Sequence, residues 1–134
     1  MNELTFEIVV ERPPPGIAFA IQEGHGTKYT LAQRVLSTGQ DITFTVTVDV
    51  DAGDFRGPFV QGKKGERFVY VNSGTLAGQE GTTCTRRAKI HLRDLPPGIA
   101  TRGGRVRARV TGTAKDGGPL CATVRLEGDG WEKL

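Results

Sequence analysis

The chain has 134 residues, of which 25% are charged and 37% hydrophobic, and its net charge is +3. This composition excludes a disordered chain and fits one globular domain with its own core. The net charge is too small to indicate a nucleic-acid partner by itself. No apolar run approaches the roughly 20 residues of a membrane span. The 19 glycines and 7 prolines show no regular period and favour many turns between short strands.

Apolar and polar residues alternate in the first part of the chain, which predicts several strands. A strand over residues 4–10 has one buried face and ends at the prolines and glycine of 13–16. A second strand covers 17–21. Residues 27–36 fit either a strand or a short helix, and we favour the strand. The alternation is clearest over residues 42–50.

The second part of the chain predicts four more strands. Residues 68–71 are apolar on both faces, which favours a central strand. Further strands are predicted over 86–93, 105–113 and 120–127. The whole chain, residues 1–134, is therefore predicted to be a single all-β domain, an antiparallel sandwich or barrel of about eight to ten short strands.

One phrase occurs twice. The string PPGIA appears at residues 14–18 and again at 96–100, each time after a predicted strand. Proline followed by glycine suits the two central positions of a type II turn. We interpret the repeat as the same turn used twice, with an internal duplication as the alternative.

Three strings occur in a distinctive order: ELTFEIVVERPPPGIAF, DFRGPFVQGKKGERFVYVNSGTLAGQ and RRAKIHL. With these strings, residues 4–92 resemble a small bacterial family of unknown function. Residues after about 96 resemble it less and are a candidate extension. The resemblance implies a bacterial origin, and it implies no activity, substrate or cofactor.

The stretch DFRGPFVQG, residues 54–62, is the first candidate site. An arginine between two phenylalanines can stack on a ring and still offer planar donors to a carboxylate or phosphate. The predicted ligand-binding residues, taken with the following glycine-rich loop, are Asp54, Phe55, Arg56, Phe59, Gly74, Gly78 and Gln79. The alternative is a structural turn in which Phe55 and Phe59 are buried against Phe68 or Tyr70 and complete the core.

A basic sheet face is the second candidate. On each of two predicted strands, basic side chains occupy every second position, so they share one side. If the two strands pair, they form a polyanion-binding face of Arg87, Lys89, Arg93, Arg105, Arg107 and Arg109, with His91 among them. Glu3, Glu7 and Glu11 would neutralise this face if the first strand is its neighbour, and we favour that paired arrangement.

Cys84 is the third candidate, because nearby arginines can lower a thiol pKa. No histidine with an orienting partner is identifiable, so we predict no catalytic residue and keep a thiol enzyme as the least favoured alternative. His25, Cys84, His91 and Cys121 are not closely paired in sequence, so no metal or other cofactor is predicted.

The N-terminal sequence MNELTFEIVVE lacks the basic and apolar segments of a secretory signal. We therefore expect a soluble, cytoplasmic protein with no membrane partner and with Cys84 and Cys121 as free thiols, although a disulfide between them remains open. The favoured function is a non-enzymatic binding module for a small anionic ligand or a protein partner. A nucleic-acid or polyanion binder is the alternative, and an enzyme using Cys84 is the second alternative.

Overall fold

The computed structural model of the protein describes residues 3–25, 28–50, 60–61, 67–74, 87–115 and 118–134. For residues 23–25, 28–32, 60–61, 114–115 and 118–121 it describes the backbone alone.

Strands dominate these residues. They are β1 (Glu3–Glu11), β2 (Ala18–His25), β3 (Lys28–Leu36), β4 (Ile42–Asp49), β5 (Val60–Gln61), β6 (Arg67–Gly74), β7 (Ala88–His91), β8 (Gly104–Lys115) and β9 (Gly118–Lys133). A 3₁₀ turn at Leu92–Asp94 and a four-residue helix α1 at Ile99–Arg102 connect β7 to β8. No helix in the described part of the chain is long and apolar enough to cross a membrane.

The strands form two sheets. Sheet A has the order β4-β1-β8-β9, and sheet B has the order β3-β2-β6-β5 with β7 also paired to β6. The prediction of an all-β sandwich is confirmed, because the two sheets are separate and share one core. The barrel alternative is wrong, since neither sheet closes on itself. As predicted, β6 is a central strand, because it pairs with β2, β5 and β7.

One strand pair departs from the antiparallel expectation. β1 and β8 run parallel, from Leu4 opposite Gly104 to Glu11 opposite Thr111. A parallel neighbour needs a crossover connection, and here all of sheet B lies between the two strands in the sequence. Alternation along the sequence indicates where a strand lies but not the direction in which a distant strand returns.

The core lies between the two sheets and is built by the predicted alternation. Every second residue of β1 and β8 is buried, and so are the inward residues of β2, β6 and β7: Leu4, Phe6, Ile8, Val10, Val106, Ala108, Val110, Phe19, Ile21, Val69, Val71 and Ile90. Burying a large aliphatic or aromatic side chain of this kind contributes about 1.5–3 kcal/mol. The residues that alternate with them along each strand lie on the two outer faces of the sandwich.

The last strand, β9, is longer than the predicted strand over 120–127, because it continues through a bulge. Arg109 is opposite Glu127 while Arg107 is opposite Glu132, so extra residues separate the two partners. Gly128 and Gly130 have φ angles of +70° and +106°, which side chains rarely adopt. Beyond the bulge, Trp131 is buried with its ring 5.0 Å from that of Phe6.

The repeated PPGIA phrase forms similar turns in both copies. Gly16 and Gly98 have φ angles of +83° and +79°, as the third position of a type II turn requires. In the second copy, Ile99 N donates to Pro96 O at 3.3 Å. In the first copy, the Ser37 hydroxyl stands between the two ends: it donates to Pro14 O and accepts from Ile17 N. The same turn chemistry is therefore used twice, closed directly in one copy and by a side chain in the other.

Candidate functional site

The outer face of sheet A carries both the acidic residues of β1 and the arginines of β8. Glu7 accepts from Arg105 at 2.7 Å and from Arg107 at 3.0 Å. Arg109 is paired with Glu11 and with Glu132, each at 3.3 Å. The expectation that the first strand lies beside an arginine strand is confirmed. As a result, each of these arginines has a carboxylate partner.

These ion pairs shift the pKa values of Glu7 and Arg109. Hydrogen bonding and charge from Arg105 and Arg107 lower the pKa of Glu7 below its ordinary value. Hydrogen bonds to Glu11 and Glu132 raise the pKa of Arg109. The pKa of Glu127 shifts in the opposite direction from that of Glu7, because partial loss of water and the nearby charge of Glu11 raise it.

The two basic strands do not pair with each other. β7 lies in sheet B and β8 in sheet A, so Arg87 and Lys89 belong to a different outer face from the β8 arginines. Arg93 is not in a strand at all, because β7 ends at His91 and Arg93 lies in the 3₁₀ turn. The single basic face that depended on this pairing is therefore wrong. Alternation groups side chains within a strand, but it does not determine which strands are neighbours.

On the outer face of sheet B, cations rest on aromatic rings. The guanidinium carbon of Arg87 is 3.9 Å from the centre of the Tyr70 ring, and Lys89 Nζ is 4.1 Å from the centre of the Phe68 ring. The two rings meet edge to face at 4.9 Å. Neither cation has a carboxylate partner among the described residues, so the rings orient these charges without neutralising them.

Two buried amides lie next to this cluster. Gln22 is 4% exposed and Asn72 is 1% exposed. Gln22 Oε1 accepts from Asn72 Nδ2 and from Arg87 Nη1, each at 3.1 Å. Because arginine can only donate, Gln22 must present its oxygen to it, and Asn72 must then present its nitrogen to Gln22. This order leaves Asn72 Oδ1 buried without a hydrogen-bond partner.

A shallow pocket borders Asn72 on the same face. Ala18 lies opposite Gly74 and Ala20 lies opposite Asn72 in the β2–β6 pair, so small residues meet across the two strands. The pocket between them is also lined by Phe19, Arg34 and Ser73, and its volume is about 10 Å³. That is room for about one water molecule.

A bulge in β3 places Arg34 beside this pocket. Phe19 is opposite Val35 but Ile21 is opposite Ala32, so β3 has one extra residue here. The extra residue accompanies Gln33, whose φ angle of +54° is uncommon for a residue other than glycine. The Gln33 amide binds the backbone of Thr45, donating to its carbonyl at 2.9 Å and accepting from its N–H at 3.3 Å. These two hydrogen bonds connect β3, at the edge of sheet B, to β4 of sheet A, and they hold the bulge that contains Arg34.

A larger groove of about 410 Å³ lies on the outer face of sheet A, beside the β9 bulge. Its lining combines Arg107 and Arg109 with Glu127, Asp129 and Glu132. The mixed charge, with both arginines already paired, makes this groove a poorer place for an anion than the outer face of sheet B.

Most of the sequence-predicted ligand site lies outside the described residues: Asp54, Phe55, Arg56, Phe59, Gly78 and Gln79, together with Cys84. Gly74 is described and lines the pocket at the end of β6. Both stretches of the predicted site adjoin β6. Val60 and Gln61 of DFRGPFVQG form β5, which pairs with β6, and Gly74 of the glycine-rich stretch is the last residue of β6. Burial of Phe55 and Phe59 stays a prediction, as does the state of both thiols.

Sequence reasoning missed Gln22, Arg34 and Asn72. For the two amides the available signal was their position directly after an apolar run, residues 17–21 for Gln22 and 68–71 for Asn72. Within the described residues, no group of three or more histidine, cysteine or acidic side chains is placed to hold a metal ion.

Fold and site together define a β-sandwich protein with a small, shallow pocket on the outer face of one sheet. The chain belongs to the family of unknown function DUF5990, whose model matches residues 4–133. The match extends past residue 92, where the sequence resemblance ended, and includes the residues after about 96. No curated protein and no solved structure shows a significant match to the chain.

Proposed function

We propose that the protein is a non-enzymatic binding module for a small molecule with an anionic group, and that this molecule binds on the outer face of sheet B. One observation carries the proposal. Arg34, Arg87 and Lys89 are on this face without a carboxylate partner among the described residues, whereas the β8 arginines on sheet A are all paired.

The local chemistry supports binding of an anion here. The guanidinium of Arg87 is held by the Tyr70 ring and by Gln22, so little conformational freedom remains to be lost when a ligand binds. Guanidinium groups offer planar donors that match carboxylates and phosphates. The buried amides beside Arg87 add polar groups that can orient a ligand.

We also propose a cellular compartment and an origin for the protein. The use of only two cysteines supports a cytoplasmic protein. The three family-like strings support a bacterial origin. The alternative is that a partner protein or a polyanion binds the same cations.

A thermal-shift series with small anions tests the proposal. The probes are phosphate, sulfate, propionate and lactate, at equal ionic strength maintained with chloride. An anion that binds the folded protein raises its melting temperature. The double variant Arg34→Gln/Arg87→Gln removes two arginines from sheet B, and the matched double variant Arg105→Gln/Arg107→Gln removes two from sheet A.

We expect at least one probe to raise the melting temperature of the wild type and of Arg105→Gln/Arg107→Gln, and to have little effect on Arg34→Gln/Arg87→Gln. The proposal fails if none of the four anions stabilises the wild type. It also fails if Arg105→Gln/Arg107→Gln loses the response and Arg34→Gln/Arg87→Gln keeps it.

A further inference from the structure

Asn72 Oδ1 requires a hydrogen-bond donor that the described residues do not supply. Its partner atom, Nδ2, is committed to Gln22, and the orientation is fixed by Arg87. The side chain is 1% exposed, and a buried oxygen of this kind is nearly always paired in a folded protein. Asn72 lines the pocket between β2 and β6, so a donor bound in that pocket would lie next to its side chain.

The size of the pocket limits the donor. A volume of about 10 Å³ admits one group the size of a water molecule, such as a hydroxyl. A carboxylate would place negative charge against the Asn72 oxygen. An ammonium would bring three donors to one unpaired acceptor and would be repelled by the neighbouring guanidinium of Arg34.

Arg34 provides the other half of the site. Its side chain is exposed, lines the same pocket and has no ion pair among the described residues. A carboxylate at the pocket entrance can therefore pair with Arg34 while a hydroxyl on the adjacent carbon reaches Asn72. The bulge at Gln33 supports this placement, since bulges commonly redirect a side chain toward a site.

We infer that this pocket binds a small 2-hydroxy carboxylate, with the hydroxyl donating to Asn72 Oδ1 and the carboxylate paired with Arg34. The inference rests on the proposed function, because it names the class of anion that the outer face of sheet B accepts.

Lactate and propionate form the matched pair of probes, because they differ only in the hydroxyl. Their dissociation constants are measured by NMR titration of the wild-type chain. We expect lactate to bind about tenfold more tightly than propionate, because its hydroxyl gives the buried Asn72 oxygen a hydrogen-bond partner. Arg34→Gln should weaken both acids, and Arg125→Gln, on an exposed position of β9, should weaken neither.

Two variants test the hydroxyl contact itself. In Asn72→Leu the preference for lactate should disappear while propionate still binds. If Asn72→Leu does not fold, Ala20→Val serves instead, because it fills the pocket and leaves both amides in place. It should reduce lactate affinity to that of propionate.

The outcomes separate the two proposals. Equal affinity for lactate and propionate in the wild type overturns the inference but leaves anion binding on this face intact. Binding that is unchanged in Arg34→Gln overturns the location of the carboxylate. If neither acid binds, the inference fails, and the phosphate and sulfate titrations then decide the proposed function.

Discussion

The ring of Phe19 in sheet B lies directly against the backbone of Gly112 in sheet A. A Cβ atom at position 112 would be 2.9 Å from both Cε1 and Cζ of that ring. The contact determines how closely the two sheets approach at this point. It also anchors β2 from the inside, and the neighbouring residues Ala18 and Ala20 line the pocket on the outside.

Gly112→Ala should therefore destabilise the protein. The added methyl group meets a fully buried ring that cannot move without displacing the core, and overpacking of this kind costs about 1–3 kcal/mol. Urea unfolding followed by circular dichroism measures the change. Thr113→Ala, at an exposed position on the same strand, is the control. Combining Gly112→Ala with Phe19→Leu should cost less than the sum of the two single changes, and strictly additive costs would show that the two residues do not touch.

Glu7→Gln should lower the melting temperature at neutral pH, because it removes the acceptor shared by Arg105 and Arg107. The folded-state pKa of Glu7 is lowered, so its stabilising contribution is present above the unfolded pKa and is lost as the pH falls through the folded value. The difference between wild type and variant should shrink on acidification. Glu3→Gln, on the same face of β1, should have little effect. A Glu7→Gln effect that persists unchanged in acid would show that the ion pairs are not its cause.

Glu127→Gln should change the melting temperature in the opposite direction from Glu7→Gln. Partial desolvation and the charge of Glu11 raise the pKa of Glu127, so folding disfavours its ionised form. Replacing it with a neutral isostere should raise the melting temperature at neutral pH. The gain should fade as the pH falls and the native carboxyl takes up its proton. Thermal melts over a pH series measure this, and a loss of stability at neutral pH would contradict the prediction.

Trp131 is the only tryptophan of the chain and a direct probe of sheet docking. Its ring packs on Phe6, and Nε1 donates to His91 O at 3.1 Å, so it links β9 to β1 and β7. Trp131→Ala should cost about 3–5 kcal/mol, as for other large core side chains. Trp131→Phe should cost less, since it keeps most of the packing and loses the hydrogen bond. In the wild type, the fluorescence emission should shift to longer wavelength on unfolding, and an unchanged emission maximum would mean that the indole is already exposed.

Most strands and their buried faces were predictable from the sequence, because alternation has a fixed period of two, but the two-residue strand β5 was not predicted. In β4, for example, every second residue is buried, as the alternation over residues 42–50 predicts. Bulges were not predictable: the glycines at 128 and 130 look like a turn in the sequence, and Gln33 gives no local sign of its left-handed backbone. The pocket could not be predicted for a related reason. It depends on Ala20 being opposite Asn72, and cross-strand register follows from the assembled sheet.

NMR mapping tests whether a small anion binds on the outer face of sheet B. Backbone amide shifts are recorded while lactate is added to the uniformly labelled wild-type chain, with sodium chloride as the ionic-strength control. We expect saturable shifts concentrated in β2, β3, β6 and β7, around Ala20, Arg34 and Asn72. Saturable shifts concentrated instead in β1, β8 and β9, or none beyond those caused by chloride, would rule out binding on this face.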